Sequence, residues 1–422
     1  MDGFMSSANP LDAHFASANR WLSIVGIGED GIDGLTASAR GLIQSATVVF
    51  GGNRHLALAA PLIRGVTQAW PRPFEQSLAE LLAHRGQAVC VLASGDPFFY
   101  GVGSLLAAHV SPDETRVVPS VSAFSLAASR LLWALPQTEL ISLCGRSIDS
   151  VRAHLQPGAR ILALCADQHT PSQLASLLTA IGYGASRLTV LESLGGTGER
   201  CRSTRADAFA MNDIGALNTV AMEIVAGPSA RIVPKSQGLE DALFEHDGQI
   251  TKREMRALAL SSLAPQFGQR LWDIGAGSGS VAIEWLLSHG SLSAIAIERR
   301  TDRLERVKRN AANFGVPHLE CVLGEAPPVL EGLAAPDAVF IGGGATTPGL
   351  IATVQSALRP TGRLVVHAVT VSTESALANY QSTYGGSLTR VAISRASPIG
   401  KKPDMLGWRT AMPVTQWVWV KT

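Results

Sequence analysis

From Trp21 onward the chain alternates short apolar runs with amphipathic stretches, a pattern typical of α/β folds. In the first half this pattern predicts seven strands and a helix between the fifth and the sixth. The predicted strands are Leu22–Gly26, Ala46–Phe50, Ala88–Ala93, Thr115–Pro119, Arg160–Ala166, Leu188–Leu194 and Thr219–Val225, and the helix is Pro171–Ile181.

The second half alternates more regularly, which predicts a mostly parallel sheet covered on both faces. Its predicted helices are Lys252–Leu263, Val281–His289, Thr301–Phe314, Pro348–Leu358 and Thr373–Tyr384. Its predicted strands are Arg270–Ile274, Ala294–Glu298, Leu319–Leu323, Ala338–Ile341, Arg363–Ala368, Leu388–Ser394 and Val414–Val420.

A polar stretch after Ala226 separates the two halves. We predict a tail over residues 1–20, one domain over 21–234, a linker over 235–247 and a second domain over 248–422. The 422 residues agree with this division, because a domain usually has about 150 residues.

Composition narrows the class of protein. The net charge of +1 provides no overall field toward nucleic acid or an anionic membrane. The N-terminal stretch lacks the pattern of a signal peptide, and no apolar run approaches the ~20 residues that span a bilayer. The five cysteines are scattered without metal-ligand spacing, so we expect free thiols, no metal and a cytoplasmic protein.

The most informative motif of the second half is a glycine-rich loop that follows a predicted strand. It combines Asp273 with Gly275, Gly277 and Gly279, a spacing that differs from the dinucleotide fingerprint. A carboxylate beside the loop would repel a pyrophosphate but can pair with positive charge. S-adenosylmethionine carries an ammonium and a sulfonium and no phosphate, so we predict it as the cofactor.

Further acids follow the next two strands. Glu298 is placed to accept hydrogen bonds from both ribose hydroxyls, and Glu325-Ala326 lies where the adenine would lie. This order resembles class I S-adenosylmethionine-dependent methyltransferases. The triple glycine at 342–344 and the Gln249-Ile250-Thr251-Lys252 stretch resemble the decarboxylating subunit of precorrin methyltransferases, and Thr251 is also a plausible helix N-cap. That resemblance implies that Thr251 contributes to the entrance for cofactor or substrate.

The first half has a different glycine loop, Ser94-Gly95-Asp96-Pro97-Phe98-Phe99-Tyr100-Gly101. Asp96 could cap a helix with Pro97 in its first turn. The whole run, with the loop after the first strand, resembles the tetrapyrrole (precorrin) methylases, which are class III S-adenosylmethionine methyltransferases. The resemblance implies cofactor contacts from Gly95, Asp96 and Ser122.

Several basic residues are candidate anchors for a polycarboxylate substrate, because the guanidinium matches a carboxylate in bidentate geometry. They are Arg146 and Arg200 in the first half, and Arg395, Lys401 and Lys402 in the second. We expect the stretch from Ser397 to Pro403 to be a long loop before the last strand. For an isolated arginine, a surface ion pair is an equally good interpretation.

Together the halves resemble the fused precorrin-6Y C-methyltransferases of cobalamin biosynthesis. The resemblance implies methylation of precorrin-6Y at carbons 5 and 15 with loss of the carbon-12 acetate carboxyl as carbon dioxide, giving precorrin-8X. It also implies a tetrapyrrole partner and a homo-oligomer. An RNA-modifying methyltransferase is the alternative, and the near-neutral charge counts against it.

Overall fold

The computed structural model describes residues 20–71, 74–400 and 402–422. Apart from Arg20, the predicted tail over residues 1–20 lies outside the described residues. The chain divides into two units: residues up to Ile148 with Gln156–Arg231 form the first, and Asp149–Leu155 with Ile232–Thr422 form the second.

The first unit contains two five-stranded sheets. Its strands are β1 (Leu22–Ile27), β2 (Val48–Gly51), β3 (Val66–Ala69), β4 (Val89–Ser94), β5 (Thr115–Val118), β6 (Glu139–Ser142), β7 (Arg160–Leu164), β8 (Arg187–Glu192), β9 (Arg200–Arg205) and β10 (Asn218–Glu223). Its helices are α1 (Ala37–Ser45), α2 (Asn53–Ala59), α3 (Phe74–Ala83), α4 (Val102–Leu106), α5 (Ala123–Leu131) and α6 (Thr170–Ala180).

The two sheets of this unit differ in strand direction. The first has the order β3-β2-β4-β1-β5, and all its pairings are parallel. The second has the order β6-β7-β10-β8-β9, in which β6 and β7 are parallel and the other pairings are antiparallel. The strands β3, β6 and β9 were not predicted, because their residues lack the continuous apolar runs of buried strands.

The second unit contains a seven-stranded sheet and a separate hairpin. Its strands are β11 (Arg270–Ile274), β12 (Ser293–Glu298), β13 (Glu320–Leu323), β14 (Ala338–Ile341), β15 (Arg363–Ala368), β16 (Ser387–Val391), β17 (Ser394–Ile399), β18 (Lys402–Thr410) and β19 (Val414–Val420). Its helices are α7 (Arg253–Leu263), α8 (Ser280–Ser288), α9 (Thr301–Asn313), α10 (Leu350–Ala357) and α11 (Val371–Tyr384).

The large sheet has the order β13-β12-β11-β14-β15-β19-β16, and its first five strands are parallel. Alternate residues of each strand enter different cores: Leu271 packs in one buried cluster and its neighbour Trp272 in another. Both faces of the sheet are therefore covered, as the alternation predicted. The α/β fold class is confirmed for both halves.

The prediction of a long loop from Ser397 to Pro403 is wrong. These residues lie largely in the antiparallel hairpin of β17 and β18, with Gly400 at φ +63° in the connection. The strand pattern was hidden because Pro398 and Gly400 read as loop signals, although proline is tolerated in an edge strand. The residues predicted as a linker, 235–247, lie in the second unit, where Leu239 and Phe244 are buried.

Candidate functional site

The second unit has a cavity of about 690 Å³ at the carboxyl ends of its parallel strands. Here the chain crosses from one side of β11 to the other, because β12 and β13 lie on one side and β14 and β15 on the other. Such a switch point is where open parallel sheets bind ligands. The predicted site residues that line this cavity are Thr251, Gly275, Gly277, Glu298, Glu325, Ala326 and Arg395.

The glycine-rich loop owes its shape to left-handed backbone conformations. Gly275, Gly277 and Gly279 have φ values of +74°, +59° and +75°, a region that L-residues rarely adopt. Gly275 and Gly277 face the cavity, where the bare backbone leaves room for a ligand. Gly279 lies outside the cavity lining: it precedes helix α8, and a Cβ there would meet Val307 at 2.7 Å.

Glu298 ends strand β12 and is the best-positioned acid of the cavity. It is buried, and each of its carboxylate oxygens accepts one backbone N–H, from Gly277 at 3.0 Å and from Arg300 at 3.0 Å. These bonds fix the carboxylate, and each oxygen retains a second lone pair. The side chain can therefore accept hydrogen bonds from a pair of vicinal hydroxyls.

Asp273 lies beneath the loop and outside the cavity lining. It accepts a hydrogen bond from the Ala282 backbone N–H at 3.2 Å. Burial raises the pKa of this carboxyl from 3.8 to about 7, and the nearby Glu298 charge adds to the rise. The structure thus gives Asp273 a position that supports the loop, and it does not bring Asp273 or Gly279 to the wall where their cofactor contact was predicted.

The segment before helix α7 forms another wall of the cavity. Thr251 lines it, but the predicted N-cap role of Thr251 is wrong: Lys252 occupies that position, without a side-chain cap. The Thr251 carbonyl instead accepts a hydrogen bond from Arg256. The wall is consequently held through its backbone by a buried guanidinium.

Glu325 and the basic residues of the second cavity are more exposed than Glu298. The Glu325 side chain is 71% exposed and lies 3.6 Å from Arg299. Arg395 lines the cavity from strand β17 and forms an ion pair with Glu254. Lys401 lies outside the described residues, and Lys402 begins strand β18.

Sequence reasoning missed His367, which lines the same cavity. It lies near the carboxyl end of strand β15, is 5% exposed, and makes a hydrogen bond of 2.9 Å to Gln416. Burial lowers the pKa of His367 below its ordinary value. A histidine at the carboxyl end of a predicted parallel strand was the available signal.

The first unit has a more apolar cavity of about 330 Å³, lined by Gly95, Asp96 and Ser122 as predicted. Gly95 has φ +52°, and a Cβ there would meet the Val121 carbonyl oxygen at 2.8 Å. Ser122 caps helix α5 by accepting from the Ser125 N–H at 3.1 Å. The loop therefore needs glycine for its conformation and for its close approach to the neighbouring chain.

The helix expected to begin at Pro97 begins instead at Val102. Asp96 accepts a hydrogen bond from the Phe98 N–H at 2.8 Å, which closes a local turn. The run from Pro97 to Tyr100 is an irregular loop because Tyr100 takes a left-handed backbone with φ +58°, which interrupts a helix. Phe99 and Tyr100 line the cavity from this loop.

A polar cluster in this cavity was also missed. His55 Nε2 and Arg54 Nη2 lie 2.8 and 2.7 Å from Ser94 Oγ, and Arg54 also pairs with Glu29. Burial, with the adjacent Arg54 charge, lowers the pKa of His55 to about 4. The histidine is therefore neutral at physiological pH, and this wall carries hydrogen-bonding groups in an otherwise apolar cavity.

The two predicted anchors of the first unit lie outside the cavity lining. Arg146 lies over the Tyr100 ring with its guanidinium carbon 5.2 Å from the centroid. Arg200 begins strand β9 and pairs with Glu192 and Asp213 at 2.7 Å each. For Arg200 the alternative interpretation of an intramolecular ion pair is therefore the one the structure supports.

In residues 20–71, 74–400 and 402–422, no cluster of three or more His, Cys, Asp or Glu side chains is arranged to hold a metal ion. No helix in the same ranges is both long and apolar enough to span a membrane.

Comparisons with known proteins agree with both halves of this description. A family model described as tetrapyrrole (corrin/porphyrin) methylases matches residues 22–210, and one described as precorrin methyltransferase domain matches residues 242–421. A crystal structure of the C-terminal domain of precorrin-6Y C5,15-methyltransferase from Rhodobacter capsulatus is 42% identical, covers 45% of this chain and 100% of that chain, and has a TM-score of 0.42.

Full-length relatives match as well. The precorrin-6Y C(5,15)-methyltransferase (decarboxylating) of a Sinorhizobium species is 53% identical over 96% of this chain and 98% of that protein. The protein of the same name from Mycobacterium tuberculosis is 40% identical over 93% of this chain and 98% of that protein. The chain therefore belongs to the family of decarboxylating precorrin-6Y C(5,15)-methyltransferases.

Proposed function

We propose that this chain methylates precorrin-6Y at carbons 5 and 15 and removes the carbon-12 acetate carboxyl, in the biosynthesis of cobalamin. The proposal assigns carbon 5 to the first unit, and carbon 15 with the decarboxylation to the second. The observation that carries it is the presence of two separate cavities in a chain whose near-full-length relatives are named for both methylations.

The second cavity fits S-adenosylmethionine. Glu298 offers two fixed carboxylate oxygens for the ribose hydroxyls, and the Gly275–Gly277 backbone leaves room beside them. Ala326 and Glu325 lie after the next strand, where the adenine would bind. The cofactor supplies a methyl group on a sulfonium, and the side chains need only position the acceptor carbon, because orientation lowers the barrier of such transfers.

The first cavity fits the same cofactor by a different arrangement. Gly95, Asp96 and Ser122 present backbone and hydroxyl groups at one wall, while Phe99 and Tyr100 present aromatic surface. Apolar walls with a few polar groups suit a ligand that is part nucleoside and part flat macrocycle. We assign this cavity to the methylation of carbon 5.

For the substrate carboxylates, Arg395 is the favoured anchor in the second cavity, since it lines the wall. Arg146 remains a candidate in the first unit, with its guanidinium stacked on Tyr100. We further propose a cytoplasmic homo-oligomer, as the family resemblance implies.

Incubation of the full chain with precorrin-6Y and S-adenosylmethionine, followed by mass spectrometry, tests the proposal. We expect a product with two additional methyl groups and one carbon dioxide less. When S-adenosylmethionine is limiting, Glu298→Ala should give mainly a product with one additional methyl group and the carboxyl retained. Gly95→Val should block the other methylation. A wild-type product with unchanged mass would refute the proposed function.

A further inference from the structure

Among the described residues that line the second cavity, His367 combines burial with a lowered pKa. Within the described part of the chain, the other titratable groups of the lining are Lys252, Arg299, Arg303, Arg395, Glu298 and Glu325. Lys252 forms an ion pair with Asp241 at 3.8 Å. Glu298 accepts hydrogen bonds from two backbone N–H groups, and Glu325 is largely exposed.

The hydrogen bonds of His367 define which ring nitrogen is free. The side-chain amide nitrogen of Gln416 donates a hydrogen bond to Ser262 Oγ at 2.9 Å. The side-chain oxygen Oε1 of Gln416 therefore faces His367 Nε2. Nε2 must then carry the proton and donate it to that oxygen. Nδ1 has the lone pair, and no described residue donates a hydrogen bond to it.

The ring is also held in place by packing. Phe340 meets it edge to face, with centroids 5.0 Å apart and an interplanar angle of 86°. With Nε2 bound to Gln416 and the ring packed against Phe340, Nδ1 is the ring nitrogen left for a molecule bound in the cavity that His367 lines.

We propose that His367 Nδ1 is the proton acceptor of the second unit, and that it takes the proton which the meso carbon must lose after it has gained its methyl group. The inference rests on the proposed function, which assigns carbon 15 to this unit. The lowered pKa of His367 agrees with it, because the imidazole is neutral and able to accept at physiological pH.

The atoms and electrons balance. The meso carbon forms its new carbon–carbon bond with the π pair of the macrocycle, and the methyl–sulfur pair stays on sulfur. The C–H bond then breaks, its electron pair restores the double bond, and the proton goes to Nδ1. Decarboxylation releases carbon dioxide and its carbon takes up one proton, so the imidazolium can return the proton and become neutral again.

The first test reads the resting state of the ring without any turnover. In the full chain labelled with ¹⁵N-histidine, nitrogen NMR at neutral pH should show signals of a ring with a protonated Nε2 and a bare Nδ1 that are missing from the spectrum of His367→Asn. If the signals missing from the variant belong to a ring with a protonated Nδ1, the proposal is overturned.

The second test separates proton transfer from binding. His367→Ala should lower the rate of the second methyl gain by roughly 100-fold or more, the range expected for a general base. Imidazole added to the buffer should restore part of the rate. S-adenosylhomocysteine titrated by calorimetry should bind with a Kd within threefold of wild type.

His289→Ala is the matched control, because His289 is exposed and lies outside the cavity lining. It should leave all these values unchanged. Unchanged turnover in His367→Ala, or a loss that imidazole does not rescue, would overturn the role of His367. A wild-type chain that gains no second methyl would instead refute the proposed function.

Discussion

Arg256 and Glu284 form an ion pair that solvent does not reach, with side-chain exposures of 0% and 2%. Glu284 also accepts the backbone N–H groups of Gly238 and Leu239 at 2.7 and 3.0 Å. Arg256 also donates to the carbonyl of Thr251, which lines the second cavity. The pair thus joins the core of the second unit to a wall of its candidate site.

We expect Arg256→Leu to destabilise the second unit by about 3–5 kcal/mol, because it leaves a buried carboxylate without its cation. Urea unfolding followed by tryptophan fluorescence measures this change. Arg256→Leu combined with Glu284→Leu should recover part of the loss. A double variant less stable than Arg256→Leu would contradict the idea that the unpaired charge causes the loss.

Glu298 and Glu325 should differ in their effect on cofactor binding. Glu298→Ala removes a fixed, buried acceptor, and a hydrogen bond to a charged group contributes about 1.5–3 kcal/mol. We therefore expect S-adenosylhomocysteine affinity at the second cavity to fall by roughly 10- to 150-fold. Glu325→Ala is the matched comparison and should change the Kd by less than threefold, since that side chain is 71% exposed. Calorimetric titration of the full chain measures both, and equal losses would contradict the assignment.

The sequence predicted the family and the fold class correctly, and the reason is visible in particular elements. Strands such as Ala338–Ile341 are continuous apolar runs, because both faces of a parallel sheet are covered. Glycines at left-handed positions mark the loop that follows Ile274. The comparisons confirm the family, and the residue roles stay predictions.

The sequence was less informative about side chains whose partners lie on other strands. Nothing local to Arg200 indicates that Glu192 and Asp213 bind its guanidinium, because those contacts depend on how β8 and β9 pair. Asp273 was predicted at the cavity, but strand pairing and burial place it beneath the loop. His367 lies near the carboxyl end of a predicted strand, but its position beside Gln416 depends on how β15 and β19 pair.

Asp273 should make the stability of the second unit depend on pH. Its pKa is about 7 in the folded chain and near 3.8 when exposed. Between about pH 4 and 7 the folded state keeps a proton that the unfolded state has lost, so the free energy of unfolding falls as pH rises through this window. The slope from this single group is at most about 1.4 kcal/mol per pH unit.

Asp273→Asn removes this dependence and keeps an acceptor for the Ala282 N–H. Urea unfolding at several pH values should therefore show a wild-type curve that falls more steeply than that of the variant across this window. Above pH 7 the variant should be the more stable protein. Parallel curves would contradict the raised pKa.

Arg395 and Arg200 offer a contrast between a substrate anchor and a structural ion pair. Arg395→Ala removes a charge from the wall of the second cavity, so we expect the KM for the tetrapyrrole to rise about tenfold or more. Arg200→Ala leaves buried Glu192 with Arg202 as its remaining guanidinium partner, so stability should fall while KM stays within twofold. Steady-state kinetics and thermal unfolding of both variants decide between the roles, because a rise in KM for Arg200→Ala at full stability would restore it as an anchor.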